Sequence, residues 1–154
     1  MPRLFTSTSY VVRGKSMQPA LVDGQRILVD TRAYNQSTPR RGDLVYFRHH
    51  VPGAQATSTS VKRIIGLPGE HVQLAEGRVL IDGSPFREPY AQGATHAPYG
   101  QAAQWLLDAG QVFLLGDNRA DSLDSRRLGP VQTNDLVGRV WFRYLPLSCW
   151  GKIG

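Results

Sequence analysis

The chain has 154 residues, 41% of them apolar, with sixteen Gly and ten Pro scattered along it and a formal net charge of +6. That suffices for one domain with a core, but it holds neither the ~20-residue apolar run that crosses a bilayer nor the stripe of Lys, Arg and aromatics that nucleic-acid binding asks for. One cysteine, Cys149, excludes an internal disulfide, and four histidines without ligand spacing (His49, His50, His71, His96) point to no metal site and no cofactor.

Met1 to Tyr10 carries one Arg among Ser, Thr and Phe, too polar for the apolar region of a signal peptide. The chain as given is expected to be soluble, or at most attached to a membrane surface. Its positive charge fits attraction to anionic lipid and plain solubility alike. Val11-Val12 reads as a short strand running into Gly14-Lys15-Ser16-Met17-Gln18-Pro19, where Gly and Pro bracket Ser16 and set it at a turn. Arg26 to Asp30 and Asp43 to Phe47 are apolar and β-branched enough for strands, with Pro39 to Gly42 as a turn between them. Val61 to Leu67 is a further strand, ended by Pro68-Gly69.

His71 to Leu74 and Arg78 to Ile81 form a hairpin through Ala75-Glu76-Gly77. Asp82-Gly83 is a turn, Ser84 to Gln104 reads mostly as loop, and Gln101 to Ala109 has room for two helical turns at most. Val112 to Leu115 is a strand delivering the chain into Gly116-Asp117-Asn118, and Leu136 to Tyr144 alternates enough for a last strand. The sum is an all-β, β-dominated single domain over 1–154, with a short loop-rich insert around 75–110 forming a small subdomain. Near the C-terminus, Cys149 suits buried packing better than redox chemistry. Trp141, Phe142, Tyr144, Leu145, Leu147 and Trp150 suit packing and contact with a membrane interface equally.

A serine hydroxyl is a poor nucleophile until a nearby base removes its proton. No histidine here stands in a context that suggests a triad. A lysine serves only when neutral, which requires burial or a cationic neighbour to pull its pKa down from about 10.4. Lys62 is the best candidate, because Val61 before it and Ile64-Ile65 after it make an apolar strand. Taken singly, Lys62 reads more readily as an outward-facing strand residue, as Arg63 beside it must partly be, and Ser16 as an ordinary turn serine. The run Gly116 to Arg126 packs three Asp, two Arg, one Asn and two Ser behind a strand. It reads as a solvated loop or as a self-satisfied knot of Arg–carboxylate pairs that holds a neighbour in place. Calcium fits poorly, since Arg119 occupies a position where a ligand is needed.

Four of these segments together resemble the boxes of type I signal peptidases, which work with a Ser–Lys dyad. Gly14-Lys15-Ser16-Met17-Gln18-Pro19-Ala20-Leu21 resembles the nucleophile box S-M-x-P-x-L. Arg41-Gly42-Asp43-Leu44-Val45-Tyr46-Phe47 is similar to the strand G-D-[IVL]-V-x-F. Val61 to Glu70 (VKRIIGLPGE) resembles the box that holds the base, and the 116–126 run resembles G-D-N-R-x-x-S-x-D-S-R. The boxes occur in the family's order.

The resemblance implies a fold of antiparallel sheets or a barrel with a small loop-rich insert, Ser16 as nucleophile and Lys62 as base. It implies that Ser122 hydrogen-bonds the lysine while Asp124 pairs with Arg126 to stiffen the loop. It further implies a serine endopeptidase that removes N-terminal signal peptides from secreted preproteins, cutting after small residues of Ala-X-Ala type. The preprotein lies as an extended strand beside Val11 to Lys15 and Ser58 to Val61, over shallow pockets lined by Val12, Met17, Leu21 and Val61. The Ser16 N–H is one oxyanion donor. A second, supplied by a serine in some relatives, falls at Gly14 and is not identified.

Relatives carry one or two membrane spans before the first box, and fifteen residues precede Ser16 here. Two expectations follow: an upstream anchor with the active site on the extracytoplasmic face of a membrane, or an anchor-free relative that matures one particular protein. A non-catalytic peptide-binding module is the alternative from another class. A self-cleaving repressor domain, which uses a similar dyad on a related β fold, would need a fused DNA-binding domain and an internal cleavage loop, and neither is visible in this sequence.

Overall fold

The computed structural model describes residues 6–35, 37–51, 53, 55–97 and 103–153. Twelve strands appear in chain order: β1 (Ser7–Val11), β2 (Arg26–Asp30), β3 (Leu44–His50), β4 (Thr57–Gly66), β5 (His71–Ala75), β6 (Arg78–Ile81), β7 (Ser84–Pro85), β8 (Ala103–Leu106), β9 (Gln111–Leu115), β10 (Val131–Gln132), β11 (Leu136–Leu145) and β12 (Gly151–Lys152). One short helix, α1, covers Ser125–Leu128. Eight strands form a sheet in the order β1-β2-β11-β3-β4-β9-β10, with β12 against β11, and four form a second sheet, β7-β6-β5-β8. Every strand pairing is antiparallel.

The strands arise where β-branched and aromatic residues alternate with polar ones. In β2, Ile27 and Val29 are buried, and in β3 Val45 and Phe47 are. Strand β4 behaves differently along its length. Its burial alternates from Thr57 to Ser60 and is continuous from Val61 to Gly66. Strand β9 joins it two residues later, pairing with Arg63, Ile64 and Gly66. From Val61 onward every residue of the strand is buried, and Lys62 is the second of that run.

Three apolar clusters fill the interior. One joins Val12, Met17 and Leu21 to Ile27, Val29, Leu44, Val61 and Val140. A second lies between the two sheets around Ile65, Val72, Leu107, Phe113 and Leu115. The third joins β3, β4, β9 and β10 through Val45, Phe47, Ile64, Leu114 and Val131.

The structure corrects several expectations. Residues 103–106 of the segment expected to manage helical turns form strand β8 instead, paired with β5 so that Trp105 lies opposite Val72 and its ring rests 4.6 Å from that of Phe113. Pairing to an open strand edge overrides a weak helical preference in so short a segment; Gln101 and Ala102 lie outside the described residues. The 84–104 stretch is not all loop, since β7 opens it and β8 begins at Ala103. Helix α1 was not expected, although Asp124 before it and Gly129-Pro130 after it are ordinary start and stop signals. Cys149 is half-buried in a 3-10 turn rather than packed in the core. Of the C-terminal apolar residues, Leu147 and Trp150 stand 71% and 61% exposed, whereas Trp141 is half-buried and donates its indole N–H to Ser7 Oγ.

Candidate active site

The chain leaves β1, and Gly14 takes a left-handed φ of +80°, which favours glycine. Its N–H donates to Asp23 Oδ1 at 2.7 Å. Two further backbone bonds close the bend, Gln18 N–H to Lys15 O and Leu21 N–H to Met17 O. Met17, 2% exposed, anchors the bend in the first apolar cluster and leaves Ser16 half-exposed at its tip.

Lys62 reaches this tip from β4. Its side chain is buried, Nζ lies 2.7 Å from Ser16 Oγ and 3.0 Å from the Val61 carbonyl oxygen. A charged Nζ donates to the hydroxyl; a neutral one accepts the hydroxyl proton at the same separation. Burial lowers the lysine pKa from its ordinary value to about 8, opposed by the negative charges of Asp124 and Asp117. The outward-facing reading of Lys62 does not hold, and neither does that of Arg63. Arg63 is buried, forks onto Asp117 at 2.8 and 2.7 Å, and lies over the Tyr90 ring at 4.1 Å.

The loop after β9 grips the Ser16 bend. Asn118 N–H donates to the Ser16 carbonyl at 3.0 Å and its side-chain amide to the Lys15 carbonyl at 3.2 Å. Gly116 is packed so closely that a Cβ there would come within 2.6 Å of the Ser16 carbonyl oxygen and 2.7 Å of Ser122 Cβ. Asp124 is fully buried, caps α1 by accepting the Arg126 N–H, accepts the Gly116 N–H at 3.0 Å and pairs with the Arg126 guanidinium at 2.9 Å. Arg119 is buried and forks onto Glu88, with Thr95 as a further partner. Of the two open readings of this loop, the structure takes the knot of Arg–carboxylate pairs.

Ser122 departs from expectation. Its Oγ is buried beside Gly116 and has no hydrogen-bond partner, so the expected bond to Lys62 is not made. Leu21 departs as well. It is fully buried in the first cluster and does not line the cleft beside Ser16, whereas Val12, Met17 and Val61 do. That cleft holds about 180 Å³ between residues 11–13 on one wall and 59–61 on the other, with Ser16, Met17 and Tyr46 completing it. Among the described residues no cluster of His, Cys, Asp and Glu is placed to hold a metal ion.

Residues 1–145 match the family described as signal peptidase, peptidase S26. The chain belongs to that family. It is a serine peptidase of the S26 type, and its relatives align over almost all of it. It is similar to a signal peptidase I of Leptolyngbya laminosa, 35% identical over 157 residues that cover 99% of this chain and 75% of that protein. It is also similar to a signal peptidase I of Bacillus caldolyticus, 36% identical over 165 residues covering 95% and 84%. A crystal structure of a signal peptidase I from Enterococcus faecalis superposes with a TM-score of 0.53 at 29% identity, over 67% of this chain and 97% of that one.

Several residues that shape the peptidase site escaped the sequence reading. Asn118, Asp117 and Arg119 were seen only as members of a polar run, and Glu88 and Thr95 only as loop. Their partners lie 24 to 103 residues away, a distance at which no local pattern signals contact. His49, given no role, donates or accepts at Ser60 Oγ across 2.9 Å, and burial with the nearby Lys62 charge lowers its pKa.

Proposed function

We propose that the peptidase removes N-terminal signal peptides from secreted preproteins with Ser16 as nucleophile and Lys62 as general base, cutting after small residues. The observation that carries this reading is the 2.7 Å contact of a buried Lys62 Nζ with Ser16 Oγ at the edge of a cleft. Neutral Lys62 takes the hydroxyl proton as Ser16 Oγ attacks the scissile carbonyl, and returns it to the leaving amine. The same amine then draws a proton from water, which releases the acyl group from Ser16. The Ser16 N–H makes no hydrogen bond among the described residues and is free to receive the oxyanion, a contribution of roughly 3–4 kcal/mol per donor. A neutral lysine has two N–H groups. Val61 O takes one, which orients the amine toward Ser16 Oγ.

Substrate geometry follows from strand edges. Strand β9 pairs with β4 only from Arg63 onward, leaving the 57–62 edge open along the cleft, and β1 is paired only with β2. An extended peptide completes hydrogen bonds on both. The apolar walls of Val12, Met17 and Val61 receive the substrate side chains, and a shallow wall selects small ones by clash. The exposed Leu147 and Trp150 supply an apolar contact for a membrane surface.

The test is cleavage of a preprotein with alanine at the first and third positions before the cut, the site being located by mass spectrometry. Ser16→Ala and Lys62→Ala should each reduce turnover by on the order of a thousandfold or more while the circular dichroism spectrum is unchanged. Turnover retained in either variant refutes the dyad.

A further inference from the structure

Resting on the reading of this cleft as the peptide site, we propose that Arg13 selects substrates carrying a carboxylate side chain near the cut. Arg13 lines the cleft together with Ser16, and its side chain is exposed. It forms no ion pair or hydrogen bond with any described residue, unlike the cations deeper in the fold. Arg63, Arg119 and Arg126 are each consumed by a carboxylate. The acid nearest along the bend, Asp23, accepts the Gly14 N–H and does not pair with Arg13. None of the residues lining the cleft is acidic, so nothing there competes for the guanidinium. Lys15, also exposed and without a hydrogen bond or ion pair through its side chain, adds a second positive charge on the same bend.

A free guanidinium at the wall of a peptide groove is an incomplete fork: it presents paired N–H donors that a carboxylate matches in bidentate fashion. The pair forms at an open rim, so its effect on affinity is modest and sensitive to salt. The apolar walls receive the small side chains next to the cut. Arg13 adds a choice of charge, made at a different residue of the peptide.

The experiment uses peptides with alanine at the first and third positions before the cut. A single Asp or Asn is walked through the remaining positions, from six before the cut to two after it. At one position the Asp peptide should show about two- to fivefold higher kcat/KM than its Asn twin at low salt, with the ratio falling toward one in 0.5 M salt (about a 4 Å screening length). Arg13→Gln should bring the ratio to one, and Arg13→Lys should keep most of it. The same ratio is read as binding, by fluorescence titration of labelled peptides to Ser16→Ala, so the charge preference is measured even if the assignment of the nucleophile is wrong. A ratio of one at every position, or one unchanged in Arg13→Gln, overturns the proposal. So does a charge effect confined to vesicles, with Arg13→Gln losing adsorption to phosphatidylglycerol while the peptide ratio stays as it was; the cation then serves a lipid surface.

Discussion

In the proposed mechanism Lys62 sets the acid limb of activity. Its pKa is lowered to about 8, with burial as the largest cause, and only the neutral amine removes the Ser16 proton. The rate constant kcat/KM should therefore rise tenfold per pH unit below 8 and level off above it. Asp124 acts in the opposite sense, since its negative charge favours the ammonium and raises the lysine pKa. Asp124→Asn should move the midpoint of the profile to lower pH, along with any loss of rate from loosening the loop. A midpoint that stays in place, or moves upward, contradicts the proposed coupling. Arg63 beside it is held differently: its buried guanidinium forks onto the Asp117 carboxylate.

The decisive element is the turn after β9, where backbone approaches backbone. Gly116 has no room for a side chain, because the atoms facing it are the Ser16 carbonyl oxygen and Ser122. A carbonyl oxygen fixed by Asn118 cannot move aside as a flexible side chain would. Gly116→Ala should thus cost about 1–3 kcal/mol of stability through overpacking and lower kcat by on the order of a hundredfold, since an ångström of displacement disrupts proton transfer. Thermal unfolding and single-turnover kinetics check the two effects separately. Wild-type kcat in the alanine variant would show that the turn does not position Ser16. Strand β4 makes the complementary point. Its change from alternating to continuous burial at Val61 is what removes water from Lys62; it begins where Val61 enters the first apolar cluster, two residues before β9 joins at Arg63.

Across the whole molecule, the loop after β9 is fastened to the segment between the second sheet's strands. Gln92 bridges Asn118, and the Gln92 N–H donates to the Asp117 carbonyl at 2.7 Å. The side chains of Arg119 and Glu88 close the same seam, both nearly inaccessible to water. Removing one member strands a buried charge, so Glu88→Ala should lower stability by about 3–5 kcal/mol. Replacing both, as Glu88→Leu with Arg119→Met, should recover most of the loss. Denaturant unfolding of the single and double variants decides the matter; a double variant as unstable as the single one would remove the ion pair from the account. The insert thus serves the site as a brace.

The amino-acid sequence by itself determined the strands and the bend. β-branched runs, a glycine and a proline act within a few residues, so Arg26–Asp30, residues 44–47 of β3 and the Ser16 turn were legible locally. The four boxes in their order also carried the family. Tertiary structure alone decided the chemistry at those positions. The contact of Lys62 with Ser16 spans 46 residues and that of Arg63 with Asp117 spans 54. It likewise turned residues 103–106 into a strand, buried Leu21 away from the cleft and left Ser122 unpaired. A charge's solvation, a strand's partner and a side chain's exposure are set by whichever groups arrive from elsewhere in the chain, and the order of residues does not state which ones arrive.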